Sequence, residues 1–444
     1  MYRKEYTETI FRTGSHTSRK SSVKQHEMAA LREMEQMILA AEAVPAGAEA
    51  LERATAHLEQ FLQQVRQKRI LDEKQRAMEA FRQQFENGYT WRNGFLRNVA
   101  RLGDREALIE PESGTVWTYT QLNAEANRLS HALLRAGLQK GDVVMVQLHN
   151  CPEFVFAYLA CHKTGMVFCP VNFRLSAKEI TDCMDNSRPK VFLLEPETQA
   201  EVDMALRRTA HAPQILLTTD ARAAHAYAGF TADCPATEPE LPWELSVYDE
   251  TLRLFTSGTT GRQKSVCLTS INEVLSAHDV MIHFPFSFTD RSMNTTPWFH
   301  RGGLHSGGIT PTLYAGGTVI IQRKFQPEKT LDMVQQYGLT FLIGVPNVLE
   351  LLAEAQQKQP RDLSSLRGIV TMGSPLERAD CIRYQKILTK RIFNGYGTTE
   401  TFWNTFLRPD DLPEMAGSAG RSCVDDDVRV IKVYEDRVAE PDDL

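Results

Sequence analysis

From about residue 90 onward, short apolar runs alternate with longer stretches whose apolar positions recur at helical spacing. Val143–Leu148 reads as a buried strand, Pro152–Gly165 as a helix and Met166–Val171 as a second strand. Val191–Leu194, Ile215–Thr218 and Leu252–Phe255 continue the strand series. Thr318–Ile321 and Phe341–Val345 then alternate with helices at 330–337 and 347–357, and Ile369–Met372 and Ile392–Phe393 follow. Continuous rather than alternating apolar strands, separated by helices, predict an α/β fold with mostly parallel sheets. Val428–Val433 reads as the start of one further strand.

Upstream the pattern changes. Residues 1–22 are rich in Ser, Thr, Lys and Arg and read as a disordered basic tail. Glu5 and Glu8 interrupt what would otherwise look like an organelle transit peptide. Residues 23–88 are rich in Ala, Glu, Gln, Arg and Leu, with one break at Val44-Pro45-Ala46-Gly47. Met28, Leu31, Met34 and Ile38 fall on one helical face, and Leu51, Leu58 and Val65 recur at sevens with Phe61 and Leu62 between them. This predicts a helical arm or antiparallel hairpin whose second helix is long. Such an arm either docks a partner or a second copy of the chain, or packs on its own catalytic portion.

Composition narrows the class. A chain of 444 residues is too long for one core, so two or three domains are expected. The net charge of −6 gives no basic surface for a nucleic-acid partner. The most apolar stretch, Phe154–Val171, is broken by His162 and Lys163, so no transmembrane segment is predicted. The eight cysteines are scattered without C-x-x-C spacing, which predicts buried, reduced thiols and a cytoplasmic location.

The chemistry concentrates in residues 254–266, Leu-Phe-Thr-Ser-Gly-Thr-Thr-Gly-Arg-Gln-Lys-Ser-Val. Glycines let backbone N–H groups turn tightly around an anion. The hydroxyls of Thr256, Ser257, Thr259 and Thr260 can donate to phosphate oxygens, and Lys264 adds a point charge. Gly258 and Gly261 are too close together for a Walker A loop, and Lys264 does not follow a glycine. A second cluster is Asn394-Gly395-Tyr396-Gly397-Thr398-Thr399-Glu400. Tyr396 offers a face for a purine, Asn394 both donates and accepts at an adenine edge, Thr399 can bond a phosphate oxygen, and Glu400 is a hard ligand for Mg2+.

The first of these segments resembles the phosphate loop of the adenylate-forming superfamily, which includes acyl-CoA synthetases, adenylation domains of peptide synthetases and firefly luciferase. Residues 394–400 resemble its Tyr-Gly-x-Thr-Glu motif. Met372-Gly373-Ser374-Pro375-Leu376 is similar to its Gly-Gly-Ala-Pro-Leu segment, with Met372 in place of the first glycine. Pro297-Trp298-Phe299-His300-Arg301-Gly302-Gly303 resembles the Pro-Leu-Phe-His-x-x-Gly segment of acyl- and aryl-CoA synthetases. Pro170–Leu175 also resembles a segment of these enzymes and is expected to serve packing.

The resemblance implies ATP as nucleotide, with Thr256, Ser257, Gly258, Thr259, Thr260, Gly261 and Lys264 around its phosphates. Gly373, Ser374 and Pro375, together with Asn394–Thr399, would line the adenine and acyl sites. Lys264, His300, Thr399 and Glu400 would carry the chemistry, with His300 at the acyl pocket and Glu400 on Mg2+. Phe299-His300 supplies no aspartate for an α-amine, so a fatty or aromatic carboxylic acid is expected. The acceptor would be CoA or a carrier-protein phosphopantetheine. Trp298, Phe402 and Trp403 would either border the pocket or belong to the core. In the phosphate loop the family's Pro-Lys-Gly is replaced by Gln263-Lys264-Ser265, which keeps the lysine and loses the stiffening proline.

The implied fold is stacked, mostly parallel sheets flanked by helices, with the start of a small β-barrel subdomain and an N-terminal helical extension. The resemblance covers roughly residues 90–444. The family pattern continues beyond Leu444 with a ribose-binding aspartate and a small domain carrying a lysine. Without them, residues 89–444 are expected to bind ATP and acid, to adenylate slowly and to transfer poorly. A catalytically silent nucleotide-binding scaffold is the rival expectation; the retained Lys264, Thr399 and Glu400 argue against it.

Overall fold

The computed structural model describes residues 47–256, 263–432 and 437–438, together with Arg32 and Gln36. The basic tail, the rest of the first helix of the arm, and Ser257, Gly258, Thr259, Thr260 and Gly261 therefore lie outside the described residues. The chain divides into two units, Met1–Phe81 and Arg82–Leu444.

The first unit contains the helix Gly47–Phe81, of 35 residues. At 1.5 Å per residue it is about 52 Å long. Its sequence is dominated by the strongest helix formers, Ala, Glu, Gln, Leu, Arg and Lys. Phe61, Leu62 and Val65 are half-buried, whereas Ile70, Leu71 and Met78 are exposed.

The second unit is built on two sheets. The strands, in chain order, are β1 (Glu106–Glu110), β2 (Thr115–Thr118), β3 (Val143–Gln147), β4 (Val167–Pro170), β5 (Val191–Leu194), β6 (Ile215–Thr218), β7 (Glu250–Thr256), β8 (Lys264–Thr269) and β9 (Arg291–Asn294). They continue with β10 (Thr318–Ile320), β11 (Phe341–Gly344), β12 (Gly368–Met372), β13 (Ile392–Thr398), β14 (Phe402–Leu407), β15 (Arg421–Ser422), β16 (Ile431–Lys432) and β17 (Arg437–Val438). One sheet has the order β6-β5-β3-β4-β7-β8 and is parallel except for the β7–β8 hairpin. The other has the order β15-β14-β13-β12-β11-β9-β10-β1-β2. It is parallel from β13 to β1, with antiparallel strands added at both edges. β16 and β17 form a separate two-stranded ribbon.

The central parallel strands Val143–Gln147, Val191–Leu194, Phe341–Gly344 and Gly368–Met372 are buried along their whole length. Helices therefore cover both faces. The helix Pro152–Thr164 is buried at twelve of its thirteen positions. Phe154, Tyr158 and Cys161 share one apolar cluster with Val144 and Phe168 of the first sheet and Leu108 and Val319 of the second. This helix is thus the layer between the two sheets, which is why its sequence is apolar all round rather than amphipathic.

The structure changes one sequence expectation and decides another. Seven of the eight cysteines are buried free thiols, but Cys267 on β8 is exposed, because it lies on the outer face of an edge strand. Trp298, Phe402 and Trp403 are core residues, at 1%, 4% and 3% exposure. Among the described residues no helix is long and apolar enough to cross a membrane.

Candidate active site

The parallel strands β12 and β13 run side by side, with Thr371 opposite Asn394 and Met372 opposite Gly395. In such sheets the carboxyl ends of the strands open into a crevice. β12 ends at Met372, and Gly373 turns the chain with φ +82°, a conformation that favours glycine. Gly373, Ser374 and Pro375 are exposed, and Leu376 returns to the core. β13 is buried through Gly395 and emerges at Tyr396, which is 56% exposed. Among the described residues Asn394 Oδ1 and Thr371 Oγ1 are buried without a hydrogen-bond partner, two uncompensated polar atoms on facing positions of β13 and β12.

The tip of the β13–β14 hairpin carries Thr399 and Glu400. Thr398 and Thr401 lock it: the Thr401 backbone N–H donates to Thr398 Oγ1 at 3.2 Å, and Thr401 Oγ1 donates to Asn404 Oδ1 at 2.8 Å. Glu400 is exposed and makes no hydrogen bond or ion pair among the described residues. A side chain on Gly397 would collide with the Phe402 carbonyl oxygen, so the hairpin closes only on glycine. Phe402 itself sits at φ +65°. For a bulky residue this left-handed region costs about 1–2 kcal/mol, so neighbouring contacts must hold it there.

The first cluster lies on the other sheet. Thr256 ends β7, and Lys264 opens β8 directly opposite it. Lys264 is exposed.

The segment 297–303 meets the β12 turn. Asn150 Oδ1 accepts from the Trp298 backbone N–H at 2.9 Å, which fixes its start. Phe299 is buried against Phe173, ring centres 5.5 Å apart. His300 is exposed beside Phe299, and Arg301–His305 forms one helical turn after it. A Cβ on Gly302 would lie 3.1 Å from Met372 Sδ, so this segment packs on the end of β12. The structure thus brings together three of the four sequence clusters, those around His300, Gly373 and Thr399.

A buried polar network was missed from sequence. Glu273, on the helix Ser270–His283, is fully buried. Its carboxylate pairs with His305 Nε2 at 2.7 Å and accepts from the Tyr158 hydroxyl at 2.7 Å. Arg301 Nη1 lies 3.9 Å away, and His162 Nε2 3.8 Å away. Burial alone would raise the Glu273 carboxyl. The imidazole of His305, which also hydrogen-bonds to it, together with His162 and Arg301, outweighs that and holds it at about 2. Removing one partner from such a buried cluster typically costs about 3–5 kcal/mol. The sequence signal was a carboxylate at the same helical phase as Ala277 and Val280 on the apolar face.

Comparison with known proteins agrees with this architecture. The AMP-binding enzyme family matches residues 95–443, and the chain belongs to that family. It is 31% identical over 337 residues to the indoleacetate–CoA ligase of Aromatoleum aromaticum, covering 74% of this chain and 65% of that one. It is 29% identical over 337 residues to the long-chain-fatty-acid–CoA ligase FadD13 of Mycobacterium tuberculosis, covering 76% and 65%. The crystal structure of the N-terminal domain of FACL13 from Mycobacterium tuberculosis superposes with a TM-score of 0.71 at 25% identity, covering 79% of this chain and 86% of that one. The chain spans less than two thirds of the length of these two curated ligases.

Proposed function

We propose that this chain carries the nucleotide- and acid-binding portion of an acid–thiol ligase that activates a carboxylic acid as acyl-AMP. The observation that carries the reading is the convergence of the His300, Gly373 and Thr399–Glu400 segments at the carboxyl ends of β12 and β13. The family membership supports it. So does the unpartnered Asn394 Oδ1, which suits the exocyclic amine of adenine.

In the proposed reaction a carboxylate oxygen attacks the α-phosphorus of ATP. The bond to the β,γ-pyrophosphate breaks, and acyl-AMP and pyrophosphate result. The thiol of CoA then attacks the acyl carbon, loses its proton to solvent, and AMP leaves. The first step is mainly positioning and charge neutralisation. Lys264 and the hydroxyls from Thr256 to Thr260 hold phosphate oxygens, Tyr396 stacks on the purine, and His300 borders the acid. Glu400, a carboxylate beside Thr399 with no ion-pair partner among the described residues, fits a magnesium ion, which would neutralise phosphate charge when bound. The acid is an aryl or fatty acid, because Phe299 and His300 give its pocket an apolar and aromatic wall without a carboxylate.

ATP–pyrophosphate exchange with a panel of fatty and aromatic acids tests this. Exchange that depends on one class of acid is the expected result. Absence of both exchange and ATP binding overturns it.

A further inference from the structure

Arg301 and Phe402 join the two halves of the site, yet the reaction above uses neither. Arg301 follows His300; Phe402 follows the turn that carries Thr399 and Glu400. The Arg301 guanidinium lies 5.2 Å from the centre of the Phe402 ring. Trp403 stacks on that ring at 4.5 Å with 17° between the planes, and His305 meets it at 5.9 Å. The ring is therefore clamped by a cation and two further rings, while its backbone is kept at φ +65°. A cation over an aromatic face is attractive, and more so when desolvated. Arg301 is 8% exposed.

What holds Arg301 is equally specific. Its Nη2 donates to Ser276 Oγ at 2.9 Å, and the Glu273 carboxylate balances its charge. Among the described residues its Nε and Nη1 have no hydrogen-bond partner. The guanidinium is thus not placed by a saturated hydrogen-bond fork; its placement comes from the Glu273 charge on one side and the Phe402 ring on the other.

We propose that Arg301, held by Glu273, is a positioning residue: it clamps the Phe402 turn so that Thr399 and Glu400 face the phosphates of the nucleotide. The inference rests on the nucleotide-binding reading of the site. It makes a selective demand. Loss of the clamp should weaken binding that runs through Thr399 and Glu400, but leave purine binding through Asn394 and Tyr396 intact.

The test compares dissociation constants of ATP with Mg2+ and of adenosine, which has no phosphate, without metal, by calorimetry on the full chain. The variants are Arg301→Met, Arg301→Lys and Phe402→Leu, with thermal midpoints recorded for each. Supporting shells around a metal site typically contribute about 10–100-fold to affinity. Arg301→Met and Phe402→Leu should therefore weaken Mg·ATP by about tenfold or more, and adenosine by less than about twofold. Arg301→Lys should recover part of the loss, because it keeps the cation. Equal weakening of both ligands, or of neither, overturns the proposal. If Arg301→Met does not fold, Phe402→Leu decides by the same comparison. Failure of the unaltered chain to bind either ligand overturns the nucleotide reading itself, and the clamp with it. Normal binding by the unaltered chain and its variants alike overturns only the clamp.

Discussion

Lys264 lies directly opposite Thr256 across the β7–β8 hairpin, so the glycine- and threonine-rich stretch between them begins and ends on adjacent strands of one sheet. A lysine at a strand terminus is better fixed than one within a loop, because its backbone is part of the ladder. Lys264→Ala should lower ATP–pyrophosphate exchange by about 100–1,000-fold, the usual cost of deleting one preorganised charge or donor. The thermal midpoint should stay nearly unchanged, since the side chain is exposed and exposed positions contribute within about 0.5 kcal/mol. Retained exchange in a folded variant would remove Lys264 from the phosphate site.

Gly397 faces the Phe402 carbonyl too closely for any side chain. Gly397→Ala should therefore open the β13–β14 hairpin or displace its tip, destabilising the fold by roughly 1–3 kcal/mol, as overpacking does. Chemical denaturation reads the stability, and calorimetry with AMP reads the site. An Ala variant of normal stability and AMP affinity would show that the hairpin tip does not need this approach.

Met372 occupies the space above Gly302 and is 7% exposed. Met372→Gly should free that space at the junction of the His300 segment and the β12 turn. The expected result is a lower KM for bulkier aromatic acids and a loss of roughly 2–5 kcal/mol of stability, typical of a large-to-small change in a packed site. An unchanged rank order of acids would place Met372 outside the acid pocket.

Arg408 Nη2 donates to His283 Nδ1 at 2.6 Å, so His283 is neutral in the fold. Burial first, and the Arg408 charge second, lower its pKa to about 4. A depressed folded value means that this contribution to stability is complete above the ordinary histidine value of about 6.5 and is lost as pH falls towards 4. Burial lowers His162 to about 4 as well, with the same sign. Stability should fall by about 2–3 kcal/mol per such histidine across that window. His283→Gln, which keeps an acceptor for Arg408, should flatten part of the slope in urea titrations at pH 7, 5.5 and 4.5. An identical slope in the variant would show that His283 does not drive acid unfolding.

Much of the architecture is legible in the chain itself. The strands Val191–Leu194 and Ile215–Thr218 are found at the residues expected, and Val143–Gln147 and Gly368–Met372 differ by one residue at an end. Each is a short, mostly apolar run, and all but the edge strand Ile215–Thr218 are buried along their length, so local composition and global burial agree. The edge elements are less legible. β8 (Lys-Ser-Val-Cys-Leu-Thr) and β14 (Phe-Trp-Asn-Thr-Phe-Leu) are half-polar strands added antiparallel by hairpins, so no continuous apolar run marks them.

The clusters around Lys264, His300, Gly373 and Thr399 are also written in the sequence, because glycine, hydroxyl and charged residues crowd at strand ends where few packing needs would place them. Which clusters meet is a tertiary fact: Met372 reaches Gly302 only because β9, β11 and β12 stand side by side. That Glu273, Arg301 and Phe402 meet in one relay is likewise invisible to local pattern. Its members are separated by 28 residues and then by 101, and each alone reads as an ordinary helix, turn or core residue. Local patterning decides where the chain turns and what it buries, since those depend on neighbours three or four residues away. Which buried charge finds which partner depends on the packing of whole elements, and only the folded chain decides it.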